Sequence, residues 1–467
     1  MASFRENSTQ IKVITQCYVK PKYKVDTAKR VHFLGPVDLG FLPLDQMQNG
    51  LLYDTKPKNM KKFLDNLERS LSICLIDFYP LAGQFTVEKI LNEEASCVYV
   101  DCGKGHGARI IHAIVVDVAV KDILCSIDVH KIIRFLFDFG VEGVNYDGHQ
   151  RPLLSIQVTE LLDGLFVGFT MNHSLGDGTS LWNFISILSE IYVQLMEKQG
   201  NNLDNDYNIV VSRKPVFKPY FPAGCGRVLK LPYTDIEKSI TLPDNRVELR
   251  ERIFHFSSKS ISLLKAKANK ECGVNNISSF QALSAFIWRA ITRARNLHPE
   301  VETYCALVIN ARPRFSPPFS NEYFGNFIVR QQSISKVVEL LNNGLGWASL
   351  LVHQVVVAQN DPKIREFFEN IVKFLCNKSQ NGEDMGSPFY SPNLVLIGGS
   401  TRFDMYGPEF GLGKPVSVLN GYSGKEDGKI NVSPGFEGGG SVDLEVCLQP
   451  ETMIRLESDE ELMSFVS

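Results

Sequence analysis

The spacing of apolar residues predicts two helices in the first half of the chain. Over residues 59–76, apolar side chains recur every three or four positions, as on one face of an amphipathic helix. The same period returns over 181–195, and Gly200 is placed to end that second helix. Asp177 or Thr179 stands where its N-cap is expected.

The stretch before the second helix has the pattern of two paired strands. Residues 153–161 and 165–172 favour strands, and Asp163-Gly164 between them is typical of a hairpin turn. In the second strand the alternate apolar positions are in phase with His173. His173 is therefore predicted to leave the strand on the side that faces the core or a channel through it.

The second half begins after a segment with the composition of a linker. Residues 201–244 are rich in Pro, Asn, Asp and Gly and predict a crossover between two domains. Further elements are predicted as strands at 247–256, 302–310, 394–397 and 442–448, a helix from about Lys259, and a helix opened by a capping box at Ser278–Gln281. A chain of 467 residues is too long for one ordinary hydrophobic core. We therefore predict domains over 1–200 and 245–467, each with a sheet covered by helices.

Composition narrows the class of protein. The hydrophobic fraction of 44% and charged fraction of 22% are ordinary for a soluble globular protein. A net charge of −3 without a basic stripe argues against nucleic acid and an anionic membrane as partners, and no apolar run approaches the ~20 residues of a spanning helix. The ten cysteines show neither Cys-x-x-Cys spacing nor a Cys/His cluster, so we expect free thiols, no metal and a cytosolic location.

His173 is the strongest candidate for chemistry in this sequence. It begins the segment His173-Ser-Leu-Gly-Asp-Gly178, whose two glycines permit close backbone approach. An imidazole has an unperturbed pKa near ~6.5, so a positioned one takes up a proton at cytosolic pH. The alternative is a core histidine hydrogen-bonded to a backbone carbonyl. Because no Gly-x-Ser-x-Gly nucleophile elbow and no evident Ser or Cys partner is found, a general base fits better than a nucleophile's helper.

Asp177 has two interpretations. It can orient His173, as the acid of a Ser-His-Asp triad does. It can instead cap the following helix or pair with a distant arginine, so that it shapes the loop without touching the reaction. The flanking glycines make regular helix unfavourable here, and the four-residue spacing therefore does not put both side chains on one face. We favour the structural role.

Four short segments occur in order along the chain. They are Tyr79-Pro-Leu-Ala-Gly83, His173-Ser-Leu-Gly-Asp-Gly178, Tyr323-Phe-Gly-Asn326 and Glu409-Phe-Gly-Leu-Gly-Lys-Pro415. Together they resemble the plant BAHD family of acyl-CoA-dependent acyltransferases, whose signatures are His-x-x-x-Asp-Gly and Asp-Phe-Gly-Trp-Gly-Lys-Pro. The resemblance covers nearly the whole chain.

The resemblance implies a fold and a reaction. The fold would be two similar chloramphenicol-acetyltransferase-like α/β domains with mostly antiparallel sheets, and a solvent channel between them with His173 near its middle. His173 would deprotonate the hydroxyl or amine of a plant specialised metabolite, which attacks the thioester of acyl-CoA without an acyl-enzyme. Acyl-CoA would be a co-substrate, no cofactor would be permanently bound, and the protein would be a monomer.

The resemblance also implies roles for particular residues. Asp177 would pair with Arg312 or Arg314, and Glu409 would form another ion pair. The segment of Glu409, with its glycines Gly411 and Gly413, would support the fold or the CoA side. On the CoA side, Ser279 and Lys265 are candidate contacts, and Ser400 is a candidate donor to a developing oxyanion.

Three departures from the family pattern leave alternatives open. Glu409 replaces the family's Asp, Leu412 replaces its Trp, and Gly399-Ser400-Thr401 stands where many members carry Ser-Trp. These changes keep the base but affect the second signature. A lyase or other reaction without CoA on the same scaffold, or a catalytically silent binding paralogue, therefore remains an alternative.

Overall fold

The computed structural model of the chain describes most of its length. The described residues are 11–93, 95–138, 143–198, 209–226, 228–232, 248–376 and 393–467. Gly200 and parts of the predicted crossover at 201–244 lie outside them. None of the helices in these ranges combines the length and the hydropathy that a bilayer crossing requires.

The strands occur throughout the chain. In chain order they are β1 (Lys12–Val19), β2 (Val31–Phe33), β3 (Met47–Tyr53), β4 (Gln84–Ile90), β5 (Ala95–Asp101), β6 (Ala108–Ile114), β7 (Leu154–Glu160), β8 (Leu165–Met171), β9 (Arg250–Phe256), β10 (Glu302–Asn310), β11 (Ile328–Lys336), β12 (Leu394–Gly399), β13 (Ser417–Asn420), β14 (Lys429–Pro434) and β15 (Val442–Leu448). The predicted hairpin is confirmed, since β7 and β8 pair antiparallel on either side of Asp163-Gly164.

The helices alternate with these strands. They are α1 (Pro36–Gly40), α2 (Met60–Asp77), α3 (Val120–Leu124), α4 (Gly178–Lys198), α5 (Ser258–Cys272), α6 (Ser279–Arg295), α7 (Val337–Asn342), α8 (Leu345–Val357), α9 (Asp361–Cys376), α10 (Pro450–Glu457) and α11 (Glu460–Met463). The helices predicted at 59–76 and from about Lys259 are confirmed as α2 and α5. The predicted capping box at the start of α6 is also formed, with Ser278 and Gln281 each bonding the other's backbone N–H.

Two six-stranded mixed sheets organise the described chain. The first has the order β1-β6-β7-β8-β3-β13, in which β6 and β7 form a parallel pair. The second has the order β11-β10-β12-β14-β15-β9, in which β12 runs parallel to both of its neighbours. The other neighbouring pairs are antiparallel. The predicted α/β class with two mostly antiparallel sheets is confirmed.

Each sheet has its own principal hydrophobic core. The apolar faces of α2 and α4 pack on the first sheet. The faces of α5, α6 and α8 pack on the second, around the fully buried Trp288. Burial of one helix face against a sheet is the main favourable term for such layers. Two cores in one chain of this length agree with the expected pair of α/β units.

The two halves exchange elements. β13 comes from the second half of the chain, yet it pairs with β3 and completes the first sheet. In the other direction, Val37 of α1 lies in the core of the second sheet. Each core is therefore built from residues of both halves.

Candidate active site

His173 lies just beyond the end of β8. The strand stops at Met171, and the side chain of Asn172 accepts a hydrogen bond from the N–H of Ser174 at 3.1 Å. This cap starts a short 3-10 turn, His173–Leu175, in which the histidine is half-buried while its two successors are buried. The strand thus carries His173 to one end of the first sheet.

Two asparagines hold the backbone of His173. Asn145 accepts a hydrogen bond from the His173 N–H at 2.7 Å, and Asn326 donates one to the His173 carbonyl, also at 2.7 Å. Asn145 is fixed in turn, because its amide donates to the carbonyls of Phe41, Leu44 and Asp45. Both halves of the chain therefore position the histidine.

The imidazole is partly buried against an aromatic ring. It stacks on the ring of Phe41 with centroids 4.1 Å apart. Its Nδ1 is buried and has no hydrogen-bond partner among the described residues. Burial lowers the pKa of His173 below its ordinary 6.5; the charge of Lys429 adds to this effect and that of Asp177 opposes it. Burial thus favours the neutral form of the ring, which is the form that accepts a proton.

Asp177 points to Arg312 and forms no hydrogen bond with His173 among the described residues. Its two carboxylate oxygens accept from Arg312 Nη1 at 2.7 Å and Nη2 at 3.0 Å. They also accept the backbone N–H groups of Phe327 and Ser180 at 3.1 Å each, and the latter bond caps α4. Both members of the ion pair are almost fully buried.

The second proposed partner, Arg314, does not join this pair. Its guanidinium donates to the backbone carbonyls of Val356 and Gln359 at 2.7 and 3.1 Å. Of the two arginines considered, Arg312 is therefore the one that contacts Asp177. Arg312 also donates to the carbonyls of Tyr323 and Gly325, which brings the Tyr323–Asn326 segment into the same network.

A buried aspartate supports Asn326 from the other side. Asp38 of α1 accepts from the backbone N–H and the side-chain amide of Asn326 at 2.8 and 2.9 Å, and from the N–H of Gly35 at 2.8 Å. Burial raises the pKa of Asp38 to about 6, although these hydrogen bonds oppose the rise. The amide that holds His173 is therefore itself held by a buried carboxyl group.

The Glu409–Pro415 segment packs against α4. The hydroxyl of Ser189 accepts from the N–H groups of Glu409 and Phe410 at 3.0 and 3.2 Å. Phe410 is buried at a positive φ of 46°, with its ring edge-on to Tyr192, and the turn then uses Gly411 and Gly413 at φ of 70° and 84°. This geometry agrees with the expected role in supporting the fold.

The predicted ion pair of Glu409 is not found. Its side chain is exposed and forms no ion pair with any residue that the structure describes. The segment contacts α4 through backbone N–H groups that donate to Ser189. These hydrogen bonds need no charge at position 409, which is why the predicted ion pair is not required.

None of the three candidate residues of the CoA side is hydrogen-bonded to His173 among the residues that the structure describes. Lys265 is exposed on α5, and Ser279 is half-buried at the capped start of α6. Ser400 lies in the turn after β12, where its hydroxyl accepts the N–H of Arg402 at 3.1 Å and keeps its own hydrogen for another acceptor. The same turn reaches the histidine loop, because a Cβ at Gly178 would lie 3.2 Å from the ring of Phe403.

Several residues of this site were not predicted from the sequence. Asn145, Asp38 and Phe41 act on His173 or its supports, yet each stands alone in the sequence without a motif. Asn326 was noted only as part of a segment. For Asn145, Asp38 and Asn326, the one signal that could have indicated them is a polar residue at a turn next to a strand or short helix, and such residues are too common to select a site. Phe41 carries no such signal.

Comparison with known proteins shows the family to which the chain belongs. A family profile described as "Transferase family" matches residues 9–463. The chain is 28% identical over 485 residues to BAHD acyltransferase DCR of Arabidopsis thaliana, covering 97% of this chain and 92% of that protein. The chain belongs to the BAHD acyltransferase family. It is thus an enzyme of the acyl-transferring class.

Other BAHD relatives are similar along their whole length. An uncharacterized acetyltransferase of Arabidopsis thaliana is 33% identical, with 96% of this chain and 98% of the relative covered. The Arabidopsis protein Enhanced Pseudomonas Susceptibility 1 is 34% identical, with 98% and 99% covered. The BAHD signatures of this chain are therefore set in a sequence that is related from end to end.

Solved structures show the same BAHD fold. Vinorine synthase superposes with a TM-score of 0.72 at 17% identity, covering 98% of this chain and 99% of that one. The Fusarium graminearum protein TRI101, solved with coenzyme A and T-2 mycotoxin, gives 0.72 at 18% identity over 94% and 99%. At these identities the likeness concerns the fold alone.

Proposed function

We propose that this chain transfers an acyl group from acyl-CoA to a hydroxyl or amine of a plant specialised metabolite, with His173 as the general base. The observation that carries the proposal is the neutral imidazole of His173, stacked on Phe41 and held through its backbone by Asn145 and Asn326. Among the described residues, no Ser, Thr or Cys side chain is hydrogen-bonded to it. A base fits this setting better than a member of a nucleophilic triad.

The proposed reaction is a single direct transfer. His173 takes the proton of the acceptor's O–H or N–H while the freed lone pair forms a bond to the thioester carbonyl carbon. The carbonyl π electrons move to oxygen, where Ser400 is the proposed donor to the negative charge. As the intermediate collapses, the C=O bond reforms, the C–S bond breaks, and the CoA thiolate takes the proton from the imidazolium.

Asp177 is proposed to support the loop and not to take part in proton transfer. Its carboxylate is fully engaged by Arg312, Ser180 and Phe327. It nevertheless acts on the site through its charge, which raises the pKa of His173 against the effect of burial. Lys265 and Ser279 remain proposed contacts to CoA, and acyl-CoA is the proposed co-substrate.

We also propose that the protein works in the cytosol as a monomer. The ten cysteines are free thiols, as expected, and this suits a reducing compartment. Size-exclusion chromatography with light scattering tests the oligomeric state, and a fluorescent fusion tests the location.

The proposed function is tested by replacing His173 with Gln and with Ala. Both variants are assayed for acylated product by mass spectrometry against a panel of acyl-CoA donors with alcohol and amine acceptors. Loss of a general base is expected to reduce kcat by about 10²- to 10⁴-fold. The matched control is His106→Gln, because His106 is exposed and its ring contacts Tyr18 on β1. Near-wild-type turnover by His173→Gln would refute the assignment, and calorimetry that detects no binding of CoA would favour a reaction without it.

A further inference from the structure

Lys429 is a half-buried cation that the proposed reaction does not use. It opens β14, and its Nζ donates to the carbonyl of Gly424. The N–H of Gly424 in turn donates to a carboxylate oxygen of Asp45 at 2.6 Å. Lys429, Gly424 and Asp45 therefore form one connected group, which we call the Lys429 group.

Strand register places the Lys429 group beside the base. In the antiparallel pair of β3 and β8, Met47 lies opposite Met171. Two residues before Met47 and two after Met171 therefore reach the same end of the sheet, and these are Asp45 and His173. The side chain of Asn145 bonds both of them, since it donates to the Asp45 carbonyl at 3.0 Å and accepts from the His173 N–H at 2.7 Å.

Electrostatics agree with this placement. The positive charge of Lys429 is close enough to lower the pKa of His173. Burial also lowers the pKa of Lys429 itself, which indicates that its ammonium group is removed from bulk water.

No carboxylate of the described chain forms a direct ion pair with Lys429, and the charges of Glu426 and Asp45 act on it from beyond ion-pair distance. By contrast, the nearby Lys425 contacts two carboxylates, those of Glu251 at 3.0 Å and of Glu445. An ammonium group has three donors, and one carbonyl is the recorded acceptor for Lys429. A poorly solvated cation with free donors gains most from an anionic partner.

We propose that Lys429 binds a carboxylate of the substrate, so that this enzyme acts on acidic substrates whose reacting group is then held beside His173. The inference rests on the proposed function and names the chemical class of substrate that the proposed function left open. The carboxylate can be carried by the acceptor, as in a hydroxy acid, or by the acyl group, as in a dicarboxylic acyl-CoA. A positively charged acceptor would be disfavoured in either case.

The test compares acids with their neutral esters. Acceptors are supplied as pairs, such as shikimate and methyl shikimate, with acetyl-CoA as a neutral donor. In the second arm the donors are malonyl-CoA and acetyl-CoA, with neutral alcohols as acceptors. The enzymes are the wild type, Lys429→Met, Lys429→Arg, and Lys121→Met as a control at an exposed lysine.

We expect the wild type to prefer the acid over its neutral partner by about 10- to 100-fold in kcat/KM. This preference is expected in the arm whose substrate carries the recognised carboxylate. In Lys429→Met this preference disappears through a higher KM for the acid, while kcat/KM for the neutral partner is kept. Lys429→Arg retains the preference because it retains the charge, and Lys121→Met behaves as the wild type.

Other outcomes overturn the inference. These are a wild type that prefers neutral substrates in both arms, a Lys429→Met enzyme that keeps its preference, or one that loses both members of a pair equally. Failure of the proposed function has a different signature, namely no transfer to any acceptor. In that case calorimetric titration of the wild type with the same pairs, in the presence of CoA, still tests the inference. If the acid binds no more tightly than its ester, the inference is overturned.

Discussion

Replacing Asp177 by alanine is expected to damage the stability of the protein more than its chemistry. The substitution removes five hydrogen bonds that its carboxylate accepts and leaves the guanidinium of Arg312, which is 0% exposed, without a counter-charge. Breaking a buried pair by removing one partner costs about 3–5 kcal/mol of unfolding free energy, and the lost α4 cap is part of that sum. Such a loss approaches the whole stability of many domains, which is of order 5–15 kcal/mol.

The assay is urea unfolding followed by tryptophan fluorescence, with soluble yield as a second measure. Trp182 lies in α4 on the first core and Trp288 lies in the second, so Trp→Phe variants report each half separately. The decisive control is the double variant Asp177→Ala with Arg312→Met, which removes the unpaired charge and should recover part of the loss. If Asp177→Ala unfolds at the wild-type urea concentration but is inactive, Asp177 has a catalytic role and our reasoning is refuted.

Two further predictions concern pH and the second signature. Because burial lowers the pKa of His173, its neutral form predominates at pH 7 and is lost as the pH falls through a value below 6.5; kcat/KM should therefore approach a plateau toward neutral pH and decline on the acid side. A pH–rate profile whose acid limb is centred above 6.5 would contradict this. Glu409→Ala should change stability by no more than about 0.5 kcal/mol, because its side chain is exposed, whereas Ser189→Ala should cost about 1–3 kcal/mol by leaving two N–H groups without an acceptor. Thermal unfolding of both variants checks the contrast, and equal effects would be inconsistent with it.

Local structure was largely predictable from the sequence. The helix predicted over 59–76 is found at Met60–Asp77, and the strands predicted at 302–310 and 442–448 have those same bounds. The apolar residues of these segments recur with a strong period, so one face of each must be buried, whichever element packs against it. The capping box at the start of α6 was predictable for a related reason, because both of its partners lie within four residues.

Contacts between distant segments were not predictable in the same way. Strand β13 has four residues, Ser-Val-Leu-Asn, with too little periodicity to indicate a strand, and its partner β3 precedes it by more than 360 residues. Likewise, Asn145 and Asn326 meet His173 only through the fold, and polar residues at turns carry no sequence signal of what they bind. The place of His173 at the end of a strand was predictable because its motif is local, whereas the residues that hold it were not.

The pairing of Arg312 with Asp177 shows what a resemblance adds. The sequence resemblance left two arginines as possible partners, two positions apart in one loop. The structure distinguishes them by direction: Arg312 turns inward to the carboxylate, and Arg314 turns to the carbonyls that end α8. In a 3-10 turn, with three residues per turn, side chains two positions apart point in different directions, which no periodic pattern in the sequence records.

The late position of β13 has a consequence for how the chain is made. During synthesis β3 emerges early, but the strand that covers its outer edge is translated only near the end. Until then the edge of a largely buried strand has unpaired N–H and C=O groups, a form that invites pairing with other chains. A chain whose translation stops before residue 417 would leave that edge permanently open and would also lack Val418 from the first core, so shortened forms of this protein should aggregate.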